Sequence, residues 1–484
     1  MASSSVHPTT TPPASSSSIF LTISLTVNIL LGSGFFAMPL SVHQAGASTS
    51  LLVCAVLCAV NIYTCATEAS FVTLSRTILA SAKPPEVTVV CKVLSSRATE
   101  VGYLAVLSLS IAGAMISYSF LFADSVCSIA TGDQSTPHSP SLYLFAVLAF
   151  ALITTPLSLA KVEEQAWLQA LSFGLRIALL GVMTVTSLLA KFLDRIDESF
   201  PSVANASPAV EPSRTNAFTS LLGVVAFSLF LNSSLPTLLS TLKTPEDKRQ
   251  IGFVVTFSMV LVTSLIFLLG LAISHSFGAK TASPANLLWA GFKWPVEGGC
   301  EGRACRWSSK VVEVLIIFFP ALDVLSIYSV NTIILTNNIM EGIWGMDWRE
   351  EGGGEGGRGG AGEEKPLLKT TAEAATTTAA TKLARYEKYM LGGVNLLPIM
   401  VALLLPGFSK AIVFTGGISV LLCLVFPAFL GICALRPDLA RYGDGELEKS
   451  RWNLKGVVDD RRVQWTVLVF GTGLTAIILG TTMV

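Results

Sequence analysis

The sequence predicts an all-α polytopic membrane protein with eleven transmembrane helices, and three observations carry that expectation. Apolar runs of about 20 residues, each long enough to cross a bilayer core, recur along nearly all of the 484 residues. Hydrophobic residues make up 51% of the chain and charged residues 13%, against about 25% charged in an average soluble domain. The first run is interrupted by Gly32-Ser33-Gly34, with Pro39 just beyond. Lipid tolerates such a break only where the freed backbone groups are buried in protein or line a polar cavity.

The stretches that meet the length and hydropathy requirement are 18–42, 49–72, 101–130, 141–160, 166–190, 216–241, 251–275, 310–338, 389–405, 411–435 and 464–483. Residues 1–17, rich in Ser, Thr and Pro and free of Lys and Arg, are expected to form a disordered cytoplasmic tail. The run after them is too long for a signal-peptide core and reads as a retained helix. The sixth stretch repeats the irregularity of the first. It clusters Asn232-Ser233-Ser234 at its middle and adds Pro236, which cannot donate a backbone hydrogen bond. The two breaks fall five helices apart and near mid-membrane, as expected for two inverted five-helix repeats with discontinuous first helices.

This divides the chain into helices 1–8 (18–338), a flexible cytoplasmic loop (339–388) and helices 9–11 (389–484). The loop carries the glycine run from Glu351 to Gly362 and an Ala/Thr tract at 371–381. With the N-terminus inside, most Lys and Arg residues, among them Arg76, Lys83, Lys92, Arg97, Lys248, Arg249, Arg461 and Arg462, fall on the cytoplasmic side. Loops 191–215 and 276–309 are then external and polar enough to fold over the outer mouth. The second holds Cys300 and Cys305, a candidate disulfide. The remaining cysteines are mostly scattered through helices as small packing residues. Asn205-Ala-Ser is a glycosylation sequon in an outer loop, whereas Asn232-Ser-Ser matches the pattern but lies in the membrane.

Several function classes are excluded. A net charge of zero gives nucleic acid no footing. The four histidines, His7, His43, His138 and His275, lack metal-ligand spacing, and no phosphate-binding Gly-Lys-Ser/Thr loop is present to drive a pump. Glu163-Glu164, the candidate acidic pair near a membrane interface, suits the start of helix 5 better than catalysis. The chain is therefore not expected to be an enzyme or to need a cofactor. Two broken helices suit a zwitterion: exposed amides around Gly32, Ser33 and Gly34 for its carboxylate, and carbonyls freed between Phe227 and Leu231 for its ammonium. Candidate substrate residues are Asn28, Gly32, Ser33, Gly34, Phe227, Ser228 and Asn232. Ser110 or Tyr118 on helix 3 are either further contacts or interhelical hydrogen-bonding groups.

The text Asn28-Ile-Leu-Leu-Gly32-Ser33-Gly34, continuing through Pro39 to His43-Gln44-Ala45-Gly46, resembles the signature of the amino acid/auxin permeases, part of the amino acid–polyamine–organocation superfamily. Thr155-Pro156-Leu157-Ser158-Leu159, the segment Phe227 to Lys243 and Phe277-Gly278 are similar to other segments of that family. The sodium-coupled neutral amino acid transporters are the most similar branch. The resemblance covers 18–340 by motif and the last three helices by pattern only. It implies a leucine-transporter-like fold with broken helices 1 and 6 and secondary active transport of L-amino acids. Such a protein is a multi-pass component of a plasma or a vacuolar/lysosomal membrane, its partners an L-amino acid, a coupling cation and the lipid bilayer.

The departures concern the coupling ion. In the sodium-coupled members a helix 1 Asn, matched by Asn28, and a helix 8 Thr shortly before a Pro help to hold sodium. Before Pro320 this chain reads Ile316-Ile317-Phe318-Phe319, and an apolar side chain cannot replace an oxygen ligand for a hard cation. H+ is thus favoured over Na+, with Asn28 and Asp323 as candidate coupling residues. Asp323 on helix 8 and Arg176 on helix 5 both lie deep in the membrane by their position along the helix. Asp323 is a proton carrier, a partner for Arg176 or a group facing an aqueous vestibule. The competing function is an amino acid sensor or receptor with a transporter-like fold, which the long inner loop leaves open.

Overall fold

The computed structural model describes residues 15–81, 84–131, 139–159, 166–201, 213–242, 250–295, 302–344, 386–403, 408–434 and 460–482. The described residues are overwhelmingly helical. Helix α1 (Ser15–Leu31) ends at Gly32, whose φ of +33° lies where a side chain would be strained. A 3₁₀ turn at Gly34–Phe36 follows, and α2 (Met38–Ala45) then carries Pro39 in its first turn, where a missing N–H costs nothing. Next come α3 (Ala47–Ile78), α4 (Val87–Leu94), α5 (Arg97–Thr131), α6 (Pro140–Leu159), α7 (Ala166–Phe192) and the short α8 (Ile196–Ser199).

The second discontinuity separates α9 (Arg214–Ser228) from α10 (Leu235–Thr241), with a 3₁₀ turn at Asn232–Ser234 between them and Pro236 again in a first turn. The chain continues through α11 (Ile251–Phe277), the long α12 (Arg303–Trp344), α13 (386–402) and α14 (Phe408–Val420). A π-helical turn at Leu421–Val425 joins α14 to α15 (Phe426–Ala434), and α16 (Arg461–Thr482) closes the described chain.

Among the described residues, nine helical segments are long and apolar enough to cross a membrane, and the apolar part of α1, Ile19–Leu31, is shorter. Leu152 and Phe192, 77% and 88% exposed, are typical of the outward faces that lipid would cover. The broken α9–α10 segment is the most enclosed, with 89% of its central window buried against 28% for α6. Its neighbours come close because they are small. A Cβ on Gly416 of α14 would strike the carbonyl of Gly223 on α9, and one on Gly113 of α5 would strike Thr415 Oγ1. Small residues at helix crossings are how membrane bundles gain van der Waals contact when lipid supplies no hydrophobic drive.

Three features depart from expectation. Helix α4 falls between the expected second and third runs, because its eight residues are too few for a spanning run. It is pinned where Thr88 Oγ1 donates to Asn338 Oδ1 of α12 at 2.6 Å. Helix α12 continues to Trp344, so the expected inner loop begins later than 339, and α1 begins at Ser15 rather than 18. Residues 345–385, most of 1–17, Glu163-Glu164 and Asn205 lie outside the described residues. Cys305 is disulfide-bonded, and its expected partner Cys300 also lies outside them. The described part of segment 276–309 packs against its neighbours: Trp289 donates from Nε1 to Thr186 Oγ1 of α7 at 3.0 Å, and Phe200, Phe277 and Phe292 surround its ring or one another.

Candidate functional site

The two breaks meet. A Cβ on Gly34 would strike Ser228 Oγ and stand 3.0 Å from Phe227 Cδ1, so only glycine lets the first break approach the end of α9 this closely. Beside this contact is a cavity lined by Gly32 from the first break, Phe227, Ser233 and Ser234 from the second, Tyr118 from α5 and Asn331 from α12. The volume open to the centre of a water molecule is about 20 Å³, room for little more than one water. Anything larger must displace the aromatic lining. The Tyr118 hydroxyl interacts with the Asn331 side chain, and it would lie 3.3 Å from a Cβ on Gly32. None of the described residues lining the cavity carries a charge.

The residues expected from the sequence divide into three groups. Gly32 and Phe227 line the cavity, and Gly34 permits the contact beside it. Ser33 is buried next to it with no partner for its hydroxyl among the described residues, whereas Ser228 donates to Val224 O of its own helix at 2.9 Å. Asn28 and Asn232 are placed elsewhere, one on each flank. Of the two helix 3 candidates Tyr118 reaches the cavity, while Ser110 shares a 2.9 Å hydrogen bond with Ser419 of α14 and is an interhelical link. Ser233, Ser234 and Asn331 were missed. The first two belong to a polar run that was noticed but credited to Asn232, and Asn331 is a single polar residue whose facing only packing reveals.

The flank beside α1 is ionic. Arg176 of α7, fully buried, donates from Nε to Asp323 Oδ1 of α12 and from Nη1 to the backbone carbonyl of Asn28. The Asn28 side chain donates to Gln169, at 2.6 Å to its carbonyl and 2.9 Å to Oε1. The guanidinium thus sits at the carbonyl end of a half-helix, the negative end of its dipole, and ties α1, α7 and α12 together. On the flank beside α10, Asn232 Nδ2 donates to Glu68 Oε2 of α3 at 2.6 Å. Glu68 carries no sequence signal of a site, because it interrupts the second apolar run without a break in helix or a nearby motif.

Across this architecture, residues 15–449 match the family model described as transmembrane amino acid transporter protein. The chain belongs to that family. It is a multi-pass membrane protein of the amino acid permease class and a transporter rather than an enzyme. No curated protein matches it. Among solved structures it is similar to a manganese transporter of Eremococcus coleocola in complex with an aromatic bis-isothiourea substituted compound. That pair shares 14% identity and a TM-score of 0.54, covering 97% of this chain and 87% of that one. A histidine-to-alanine mutant of the same transporter gives 14% identity and a TM-score of 0.54 over 98% of this chain and 89% of that one. A glutamate-to-glutamine mutant gives 12% and 0.53 over 99% and 90%. At this identity the likeness concerns the fold alone.

Proposed function

We propose that this transporter carries neutral L-amino acids by alternating access, coupled to protons, on an eleven-helix core of two inverted five-helix repeats. In that core α1–α2 and α9–α10 are the broken helices 1 and 6. One observation carries the reading: two broken helices face a single cavity whose described lining is uncharged. A zwitterion there has only backbone dipoles and neutral polar groups to meet its two charges. The amides around Gly32, Ser33 and Gly34, and the positive end of α2 that follows them, suit the carboxylate. The carbonyls released between Phe227 and Leu231 suit the ammonium, and Tyr118, Ser233, Ser234 and Asn331 add polar contacts. A substrate with a charged side chain would bring a third charge with no counter-ion among these residues, at a large desolvation cost.

The preference for H+ over Na+ rests on two observations. The four residues before Pro320 offer no side-chain oxygen, and the Asn28 carbonyl already accepts from a guanidinium. Asp323 was the first candidate for the proton. Its pairing with Arg176 favours the structural alternative, since arginine stays charged and protonating Asp323 would strand that charge in the core. The manganese named for the structural neighbour is not carried over, because no group of three or more His, Cys, Asp or Glu side chains suited to a metal occurs among the described residues. A plasma or vacuolar/lysosomal membrane fits such a carrier.

The test is uptake by proteoliposomes of a labelled amino acid panel, with choline replacing sodium and with or without an inward proton gradient. Accumulation of neutral amino acids that follows the proton gradient and ignores sodium is expected. Binding without uptake would mark an amino acid sensor instead, and sodium-dependent uptake would reverse the ion assignment.

A further inference from the structure

We propose that Glu68 of α3 is the carboxyl that carries the coupling proton, an inference that rests on the proton-coupled reading above and names its site. Glu68 is 1% exposed. Oε2 accepts from Asn232 Nδ2 at 2.6 Å, and Oε1 has no partner among the described residues. Asn232 Oδ1 in turn accepts from the Cys65 thiol, one turn earlier on α3, at 3.5 Å.

The titratable groups that interact with Glu68 among the described residues are each neutral in their ordinary state. Cys65 lies on α3 itself, Cys91 on α4, Tyr103 on α5 and Cys423 in the π-helical turn after α14, all within electrostatic reach of the carboxyl. The Tyr103 hydroxyl is fully buried and also without a partner among the described residues. The next carboxylates, Glu86 at the N-cap of α4 and Glu100 in the first turn of α5, are already engaged, Glu86 by Asn338 and Glu100 by Arg97. No Lys, Arg or His pairs with Glu68 among the described residues, whereas Asp323 has Arg176.

A buried carboxylate with no cation leaves a whole charge uncompensated, while the neutral acid leaves only one hydroxyl unpaired, which is much the smaller cost. In this conformation Glu68 therefore holds its proton. Release requires water or a cation to reach it, which a change in the packing of α3 against α10 and the π-helical turn would provide. The link to substrate is short, because Asn232 is followed directly by Ser233 and Ser234 in the cavity wall. Ionisation converts the Asn232 hydrogen bond to a charge-assisted one and strengthens its pull on the break between α9 and α10. Proton occupancy and cavity shape are thereby joined through one side chain.

Glu68→Gln fixes the neutral state and keeps an acceptor for Asn232. In proteoliposomes it should exchange labelled for unlabelled amino acid within about twofold of wild type, yet lose proton-driven accumulation by about tenfold or more and lose the pH dependence of uptake. Proton-driven accumulation by Glu68→Gln at the wild-type level overturns the proposal. If wild type itself ignores the proton gradient, it is the proton-coupled reading that fails, before Glu68 is at issue. Should Glu68→Gln fail to assemble, wild-type protein decides. Dicyclohexylcarbodiimide, which reacts with protonated carboxyls in apolar surroundings, should modify Glu68 in peptide maps, less as pH rises, and leave Asp323 untouched. Absence of label on Glu68 at every pH overturns the proposal equally.

Discussion

The two helix breaks share a backbone design and differ in electrostatics. Each has a helix that ends, a 3₁₀ turn, and a short second helix opened by a proline in its first turn. Beside the first, a permanent cation is held between an acid and a backbone carbonyl, so every charge has a partner. Beside the second, an acid is held by an amide, with no cation paired to it among the described residues. Opposite charges in contact resist separation and resist titration, because each ion raises the cost of neutralising the other. A lone acid does neither. The comparison makes the first flank a clamp and the second a place where one proton can change the structure.

The largest effect is expected from breaking the clamp. Arg176→Gln leaves Asp323 buried as an unpaired charge and should cost about 3–5 kcal/mol, enough to depress expression and the thermal transition of the detergent-solubilised protein. Adding Asp323→Asn should restore most of that loss, and a double mutant as unstable as the single would show that the pair is not what the arginine is for. Next is Gly34→Val, which forces a side chain into Ser228 and Phe227 where the breaks touch. The overpacking of about 1–3 kcal/mol falls on the site itself, so uptake should vanish while membrane insertion, read by surface labelling, persists.

Tyr118→Phe removes the hydroxyl that meets Asn331 without changing the aromatic lining. A loss of about 0.5–1.5 kcal/mol should appear as a several-fold rise in the KM for uptake, and an unchanged KM would place the substrate elsewhere. The smallest effect is the sharpest for the comparison. Glu68→Gln should move the thermal transition by less than about 1 kcal/mol, since a neutral side chain of the same shape replaces a neutral acid. A penalty as large as that of Arg176→Gln would mean that Glu68 is ionised and paired after all.

Much of the fold was legible because membrane helices are written locally. Each described helix that matches an expected run does so because about 20 apolar residues can satisfy their backbone only among themselves. Gly32, Gly34, Pro39 and Pro236 marked the discontinuities for the same reason, since each removes or strains a hydrogen bond at a known place. The approach of α5 and α12 to the cavity was not legible in this way. Tyr118 and Asn331 sit in helices whose facing depends on which small residues let neighbours close in, such as Gly113 against Thr415 and Gly416 against Gly223.

The sequence by itself thus determined an all-helical membrane protein with two breaks, a run before Pro320 without oxygen ligands, and two opposite charges too deep to be solvated. The tertiary structure alone decided which polar groups meet. Arg176 and Asp323 are 147 residues apart and Asn232 and Glu68 are 164 apart. Backbone hydrogen bonding is satisfied within a helix, but a buried side-chain charge can be satisfied only by another helix. Helix packing assigned an arginine to one acid and an asparagine to the other.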